Sequence, residues 1–586
     1  MVYHGPSRGC MVCRKRRVKC DEVRPHCGNC VRRRQQQLCV YRSGSDKGGR
    51  RGSEESKTTH EHSDHSVNEE DDTIPFEPNV VLPFASLQRQ SHDGEFESLC
   101  FFFTNYVNIP RESHTNLFLE ALQPVFNASS PDSPLRHATT AVAVTISDFW
   151  RTLGPYSGNS RRSWARAVAA TRSAIFDPEL SRSDELLAAI FMLDFYQGLN
   201  RRYVNLQEDP DLHQKAAVAL IQARGKDNVK TDSARRLYTS LRSKYIFSHL
   251  QARKRLSLDG ALNLPIEPGD WPTTKLDMVM LELANLLADI EDFSQRSLAF
   301  GALHADMIEM DDTTEAEAFL TRCFEIKAEM GSWRQSVPPS WEPHRITDME
   351  SIHHSIRAVG LYNGLCDVYS SHTVAQMMNF WRTIHITLLR VIKHLSWQVG
   401  PQFMLESAPT DAEIDDEIQK LADDICACVP FHVGSRTTFC YPYEAQNYPP
   451  VPGWLRESAD YIDGLGNPTL LTDSDHARSA AAAGGWFLLT PMTTLMEYSQ
   501  PFPLTPGADK RSILEPIKLR PGQLRWITSQ CRRIHKIYLI PWPYGTTNPS
   551  TLGSLSTLSP YWAFREEGFA NPAADSISVP VHEIVV

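Results

Sequence analysis

Long apolar runs are missing from this 586-residue chain, and their absence argues against a membrane span. The run Ala480–Leu489 gives way to Thr490-Pro491, short of the ~20 apolar residues a spanning helix needs, and reads as a buried helix. No apolar segment follows Met1, so nothing marks the chain for secretion and reduced thiols are the expectation. The sequon Asn127-Ala-Ser129 then carries no meaning. His-Glu-x-x-His, Gly-x-Ser-x-Gly, a phosphate-binding glycine loop and a dinucleotide fingerprint are all lacking, so no catalytic residues are nominated and no enzyme is expected. Strand-like alternation is scarce. Acidic residues are nearly absent from residues 1–52, which hold 14 Lys and Arg against 3 acids. Residues 53–586 hold 46 bases against 67 acids, so the net charge of −10 hides a head of +11 on a body of −21. A basic head suits a polyanion, and nucleic acid is the usual one.

Cysteine is unevenly spent. Six of the 13 fall within the first 39 residues, as Cys10-x2-Cys13-x6-Cys20-x6-Cys27-x2-Cys30-x8-Cys39. A Cys-x2-Cys turn points two thiolates at one metal, and six sulfurs exceed what one tetrahedral zinc can use. Two zinc ions need eight ligand positions, which six thiolates fill if two of them bridge. The segment is a rough repeat, each half supplying a short helix and one bridging sulfur. Between the ligands lie Arg14-Lys15-Arg16-Arg17-Val18-Lys19 and Arg32-Arg33-Arg34. Arginine pairs in bidentate fashion with guanine O6 and N7, and basic groups suit the negative end of a short helix. The other cations would hold phosphates. A disulfide framework, a zinc-stabilised interaction module and a nuclear import signal are the competing readings; the last is compatible with DNA contact.

Residues 7–41 resemble the fungal zinc binuclear cluster (Zn₂Cys₆) DNA-binding domain. The resemblance implies that Cys10 and Cys27 bridge two zinc ions, that Cys13 and Cys20 complete one, and that Cys30 and Cys39 complete the other. It further implies that Arg16 and Arg17, three and four residues after Cys13, read a CGG triplet in the major groove, and that Pro25 shapes the loop between the halves. Arg14, Lys15, Lys19, Arg32 and Arg33 complete the expected DNA-binding set. The last spacer, Val31–Leu38, is longer than the common six.

Beyond the head the composition changes. Ser43–Gly52 is flexible by composition, and residues 53–73 carry eight acids and one lysine with too few large apolar residues for a core. That stretch reads as a solvated linker, with an activation segment as the sharper alternative; His60, His62 and His65 read as linker residues. No heptads follow the cluster, so no coiled coil is expected there.

From residue 93 the pattern is helical, and the fold class expected is mainly all-α. The stripes are Leu135, Ala138, Val142, Ile146 and Phe149; Trp164, Val168, Thr171 and Ile175; Leu276, Val279, Leu283, Leu286 and Ile290; Ile384, Leu388, Val391 and Ile392; and Trp526, Ile527, Cys531, Ile534 and Tyr538. Ser181 and Asp184 look like an N-cap pair. Prolines at 442–452, 501–521 and 541–549 mark loops. So long a body suggests two lobes. Cys426 and Cys428, one residue apart, and Cys100, Cys323, Cys366, Cys440 and Cys531 read as core thiols. Asn379-Phe-Trp-Arg382 with the following Ile384–Leu389, Asp424–His432, and Ala480–Leu489 with Gly484-Gly485-Trp486-Phe487 resemble the fungal-specific transcription factor regulatory domain, which implies an all-α region controlling the head.

The expected domains are 1–45 zinc cluster, 46–92 flexible acidic linker, 93–540 helical regulatory body and 541–586 loop-rich tail. The expected function is a nuclear, zinc-dependent, sequence-specific regulator of RNA polymerase II genes, controlling at family level a metabolic or secondary-metabolite gene cluster. The expected partners are double-stranded DNA, transcription machinery or co-regulators, and a second copy through the helical body if the chain dimerises. Two other classes stay open: a zinc-stabilised adaptor that never reads DNA, and an enzyme with an unrecognised helical active site.

Overall fold

The computed structural model describes residues 10, 13, 18–21, 23, 27–32 and 93–542, the last with gaps at 113–117, 153–157, 202, 204–210, 226–228, 264–270, 304–310, 401–407, 443, 445, 458–460 and 501–513. Arg14, Lys15, Arg16, Arg17, Arg33, Cys39, the acidic linker and the tail lie outside the described residues, as does the side chain of Arg32. The chain divides into two compact units, Met1–Val80 and Val81–Val586.

In the first unit the described helix is α1 (Gly28–Arg32). The second unit is built of helices, as the sequence periodicities require. Its first lobe contains α2 (Asp93–Phe102), which continues into a π-helical turn Phe103–Val107, then α3 (Phe118–Ala128), α4 (Pro134–Thr152), α5 (Gly158–Ile175), α6 (Asp184–Arg201), α7 (Leu212–Arg224) and α8 (Asp232–Ala252). The second lobe contains α9 (Pro272–Leu303), α10 (Asp311–Ser336), α11 (His354–Gly360), α12 (His372–Val399), α13 (Asp411–Ala427), α14 (Val429–Val433), α15 (Gly453–Arg456), α16 (Asp473–Ser479), a π-helical turn Ala480–Gly484, α17 (Gly485–Tyr498) and α18 (Gln523–Ile537). Among the described residues the only sheets are two antiparallel two-residue ladders. Arg111–Glu112 (β1) pairs with Tyr461–Ile462 (β4), and His344–Arg345 (β2) with Asp367–Val368 (β3). The β1–β4 ladder ties the first lobe to the second.

Each lobe has its own apolar core. In the first, α6 is buried continuously from Leu186 to Gln197, because its neighbours cover every face. In the second, α12 takes that place, with Ile384, Leu388, Val391 and Ile392 all buried. The stripes on α4 and α9 are buried as the periodicity predicts. The α5 stripe is buried only at Thr171. Ile175 is exposed, Trp164 and Val168 are half-buried, and the buried face is Ser160, Ser163, Ala167, Thr171 and Ala174. Small residues at that spacing let α5 lie close on α4, and close approach outweighs the burial of larger side chains. Trp164 instead stacks on Tyr196 at a centroid distance of 4.1 Å.

The cap of α6 also differs from the expected pair. Leu186 N–H donates to Ser183 Oγ at 3.2 Å, while Ser181 belongs to a preceding 3₁₀ turn. Asp184 is taken up by Arg224 at 2.6 Å and Thr231 at 3.2 Å. Buried charges in this region are paired. Lys244 meets Asp194. Asp277 accepts from Ser243 Oγ at 2.6 Å and faces Arg242 at 3.6 Å, yet burial pushes its carboxyl up to about 7.

The π turn Ala480–Gly484 is held from both sides. Arg436 Nη1 donates to Ala481 O at 2.6 Å, and Tyr538 Oη donates to Ala480 O at 3.3 Å while accepting from Gly485 N at 3.0 Å. A Cβ on Gly484 would lie 2.1 Å from His432 O, and one on Gly485 would lie 2.5 Å from the Tyr538 ring. The glycine pair therefore permits α14 and α18 to close on this turn. Among the described residues no helix is long and apolar enough to cross a membrane.

Candidate metal centre and nucleic-acid interface

Among the described residues of the first unit the buried ones are Cys10, Cys13, Cys27 and Cys30. The Cys27 carbonyl accepts from Cys30 N at 2.9 Å and Val31 N at 3.0 Å, which starts α1 and turns both sulfurs of the second Cys-x2-Cys toward one point. In the first Cys-x2-Cys, Cys13 N–H donates to Cys10 Sγ at 3.4 Å, and Cys13 O accepts from Val18 N at 3.0 Å. Asn29 Nδ2 donates to Lys19 O at 2.8 Å and so links the two halves.

The sulfur atoms converge. Cys10 Sγ lies 3.7 Å from Cys27 Sγ and 3.8 Å from Cys30 Sγ, and Cys13 Sγ lies 3.6 Å from Cys27 Sγ. A disulfide would be about 2.05 Å, so these are free thiols. A tetrahedral zinc with Zn–S of about 2.3 Å has a sulfur–sulfur edge of about 3.8 Å, so the spacing fits zinc. All four ligand atoms lie within 4.8 Å of one another, and a second group, Cys20, Asp21 and Cys27, meets the same limit. Cys27 thus belongs to both groups, and Cys10 touches sulfurs from both halves. Cys10 N–H also donates to Cys20 Sγ at 3.4 Å.

The thiols differ in acidity. Burial raises Cys13 to about 12, helped by its hydrogen bond to Cys27. Burial also acts to raise Cys27, but hydrogen bonds from the Cys30 backbone and thiol and from Cys13 outweigh it and hold Cys27 at about 6. A metal ligand must be a thiolate.

Of the nominated residues, the structure thus brings together Cys10, Cys13, Cys20, Cys27 and Cys30, with Lys19 exposed beside them. Sequence reading missed Asp21 and Asn29. The carboxylate next to a ligand cysteine was a visible signal for Asp21; the Asn29–Lys19 bond was not visible, because it depends on how the halves fold onto each other.

In the body, the three quoted regulatory segments meet. Asn379 Nδ2 donates to Cys428 Sγ at 2.9 Å, Arg382 Nη1 donates to Asn379 Oδ1 at 2.8 Å and to Tyr369 Oη at 2.9 Å, and Gly484 packs on His432. Cys323, Cys366, Cys426, Cys428 and Cys531 are buried, as expected of core thiols; Cys100 and Cys440 are only half-buried, which corrects that reading for these two. Burial raises Cys428 and Cys531 to about 12.

No solved structure matches this chain. Over 31 residues the chain is 68% identical to sterol uptake control protein 2 of Candida albicans, a stretch that is 5% of this chain and 4% of that relative. The chain therefore spans only a small fraction of that protein's length. Residues 8–48, which include all six clustered cysteines, match the fungal Zn(2)-Cys(6) binuclear cluster domain. The converging sulfurs already described thus lie within a segment that matches the fungal Zn(2)-Cys(6) binuclear cluster domain, for which two zinc ions are the characteristic complement.

Proposed function

We propose that the chain is a nuclear, sequence-specific DNA-binding regulator of transcription whose zinc cluster reads CGG-type triplets. The observation that carries this is a sulfur cluster of zinc geometry inside the matched domain, whose sequence also carries Arg14, Lys15, Arg16, Arg17 and Lys19. In this reading Cys10 and Cys27 bridge the metals, Cys13 and Cys20 complete one site, and Cys30 and Cys39 the other. Zinc supplies the fold of the head, not a reaction. Arg16 and Arg17 contact bases; Arg14, Lys15, Lys19, Arg32 and Arg33 hold phosphates, which position the head without reading sequence.

The domain division 1–45, 46–92, 93–540 and 541–586 follows the same reading, with the helical body regulating the head and meeting co-regulators. One reading helix covers few base pairs and rarely reaches the 10⁻⁸ M or so typical of specific binding. Two tethered heads would reach it through effective concentration, so a homodimer would form through the body. Control of a metabolic gene cluster is the biological role this supports.

The test is selection of bound duplexes from a random pool by the full chain, followed by sedimentation with and without DNA. Enrichment of CGG triplets is the expected outcome. Enrichment of no sequence over the pool would leave the zinc-stabilised adaptor in its place.

A further inference from the structure

Where the two lobes of the body meet there is a cavity that is partly open to solvent. Its wall is mostly aromatic and aliphatic, with Phe149 and Trp150 from α4 on one side and Trp486 from α17 on the other. A concave, largely apolar space with a few polar groups is the usual form of a small-molecule site.

Two further observations single it out. Both π-helical turns of the described body border it, one from each lobe: Asn105 belongs to Phe103–Val107 and Ala483 to Ala480–Gly484. The two turns also pack against each other. Such turns are uncommon and recur at functional sites, and here they meet from chain segments nearly 380 residues apart. The second observation is Asn200, near the end of α6. It lines the cavity and is 1% exposed. Its Nδ2 donates to Tyr196 O at 2.8 Å, but its Oδ1 is buried with no partner. A buried acceptor left unmet is costly, and a donor on a bound molecule would meet it.

Two titratable groups also line the wall: His372, at the start of α12, whose imidazole burial pushes down to about 3, and Arg111, whose guanidinium donates to Tyr106 O at 2.5 Å.

We propose that this cavity is a binding site for a ring-bearing small molecule whose single hydroxyl or N–H group donates to Asn200 Oδ1. Occupancy would bridge the two π turns and so couple the lobes. The proposal does not depend on DNA reading, and its test reads binding alone.

Equilibrium dialysis of the full, zinc-loaded chain against 2-naphthol, naphthalene and 2-naphthoate tests it. Saturable one-to-one binding of 2-naphthol, tighter than of 2-naphthoate, is expected. Ala483→Trp fills the cavity and should weaken 2-naphthol at least about 10-fold. Asn200→Leu keeps the volume but removes the acceptor; it should weaken 2-naphthol about 5-fold and leave naphthalene unchanged, the size of one hydrogen bond. Should circular dichroism show that Ala483→Trp is misfolded, the Asn200→Leu comparison decides. Absence of saturable 2-naphthol binding, tighter binding of the anion, or equal losses of 2-naphthol and naphthalene in Asn200→Leu would overturn the proposal.

Discussion

Among the described residues the buried side chains of the head are cysteines, whereas those of the body are largely leucine, isoleucine and aromatic rings. The difference follows from size. A segment of some 40 residues cannot bury enough apolar surface to offset its chain entropy, so metal–thiolate bonds take over. The body, with several hundred residues, closes two apolar cores. One region should therefore respond to chelators and the other to core truncation, pH and packing.

The largest separation between them is expected on zinc removal. Structural zinc contributes roughly 10–16 kcal/mol to small domains, so a strong chelator should abolish the fold of the head while the helical signal of the full chain barely changes. Elemental analysis should give two zinc ions per chain before treatment. A helical signal that collapses together with the zinc would break the comparison.

Acid should act the other way, on the body. His372, His432 and His476 are buried with their rings close together, and burial lowers all three below the ordinary value of 6.5, His372 to about 3. Below pH 6.5 the unfolded chain takes up protons that the folded body refuses. Their stabilising contribution is thus full above 6.5 and declines as pH falls toward about 3. Each such histidine adds up to about 1.4 kcal/mol per pH unit in that window, so three add about 4. Denaturant melts of the full chain at pH 7 and pH 5.5 measure this, and His476→Gln should lower the slope by up to about 1.4 kcal/mol per pH unit. An unchanged slope would mean that these rings are protonated in the fold.

Core truncation comes next. Leu388→Ala on α12 should cost about 2–5 kcal/mol in the melt of the body and leave the zinc content at two. Gly484→Ala should cost about 1–3 kcal/mol, because the new methyl meets the backbone carbonyl of His432 and not a side chain that can turn away.

The smallest effect in energy is the most selective. Arg17→Ala should lower the preference for CGG-containing DNA by about 1–3 kcal/mol, while Arg33→Ala should weaken all duplexes about equally and reduce the salt slope by about one unit. Neither should move the melting of the body. Equal losses on specific and random duplex for Arg17→Ala would remove it from the base contacts.

The same contrast explains what could be read from the sequence. The metal site was legible because its ligands are close along the chain and sulfur spacing maps directly onto coordination geometry. The long helices were legible where one apolar stripe faces one core, as at Leu276–Ile290. On α5 the stripe misled, since a face of Ser160, Ser163, Ala167 and Thr171 packs closer than one bearing Trp164. The cap of α6 was placed two residues early because several serines precede it and only the backbone chooses among them. The cavity was invisible. Asn105, Asn200, Ala483 and Trp486 have no shared spacing, and nothing in the order of residues shows that two irregular turns meet.

That meeting has a consequence for how the protein is made. The first lobe, through Leu262, is contiguous in sequence and can pack while the ribosome is still at work. The seam between lobes cannot. Tyr203 Oη donates to Tyr538 O, and Tyr538 in turn carries the π turn before α17. The seam is therefore finished only when residue 538 has left the exit tunnel. Until then a nascent chain stalled before α18 would lack the Tyr538 contacts that join Tyr203 to the π turn.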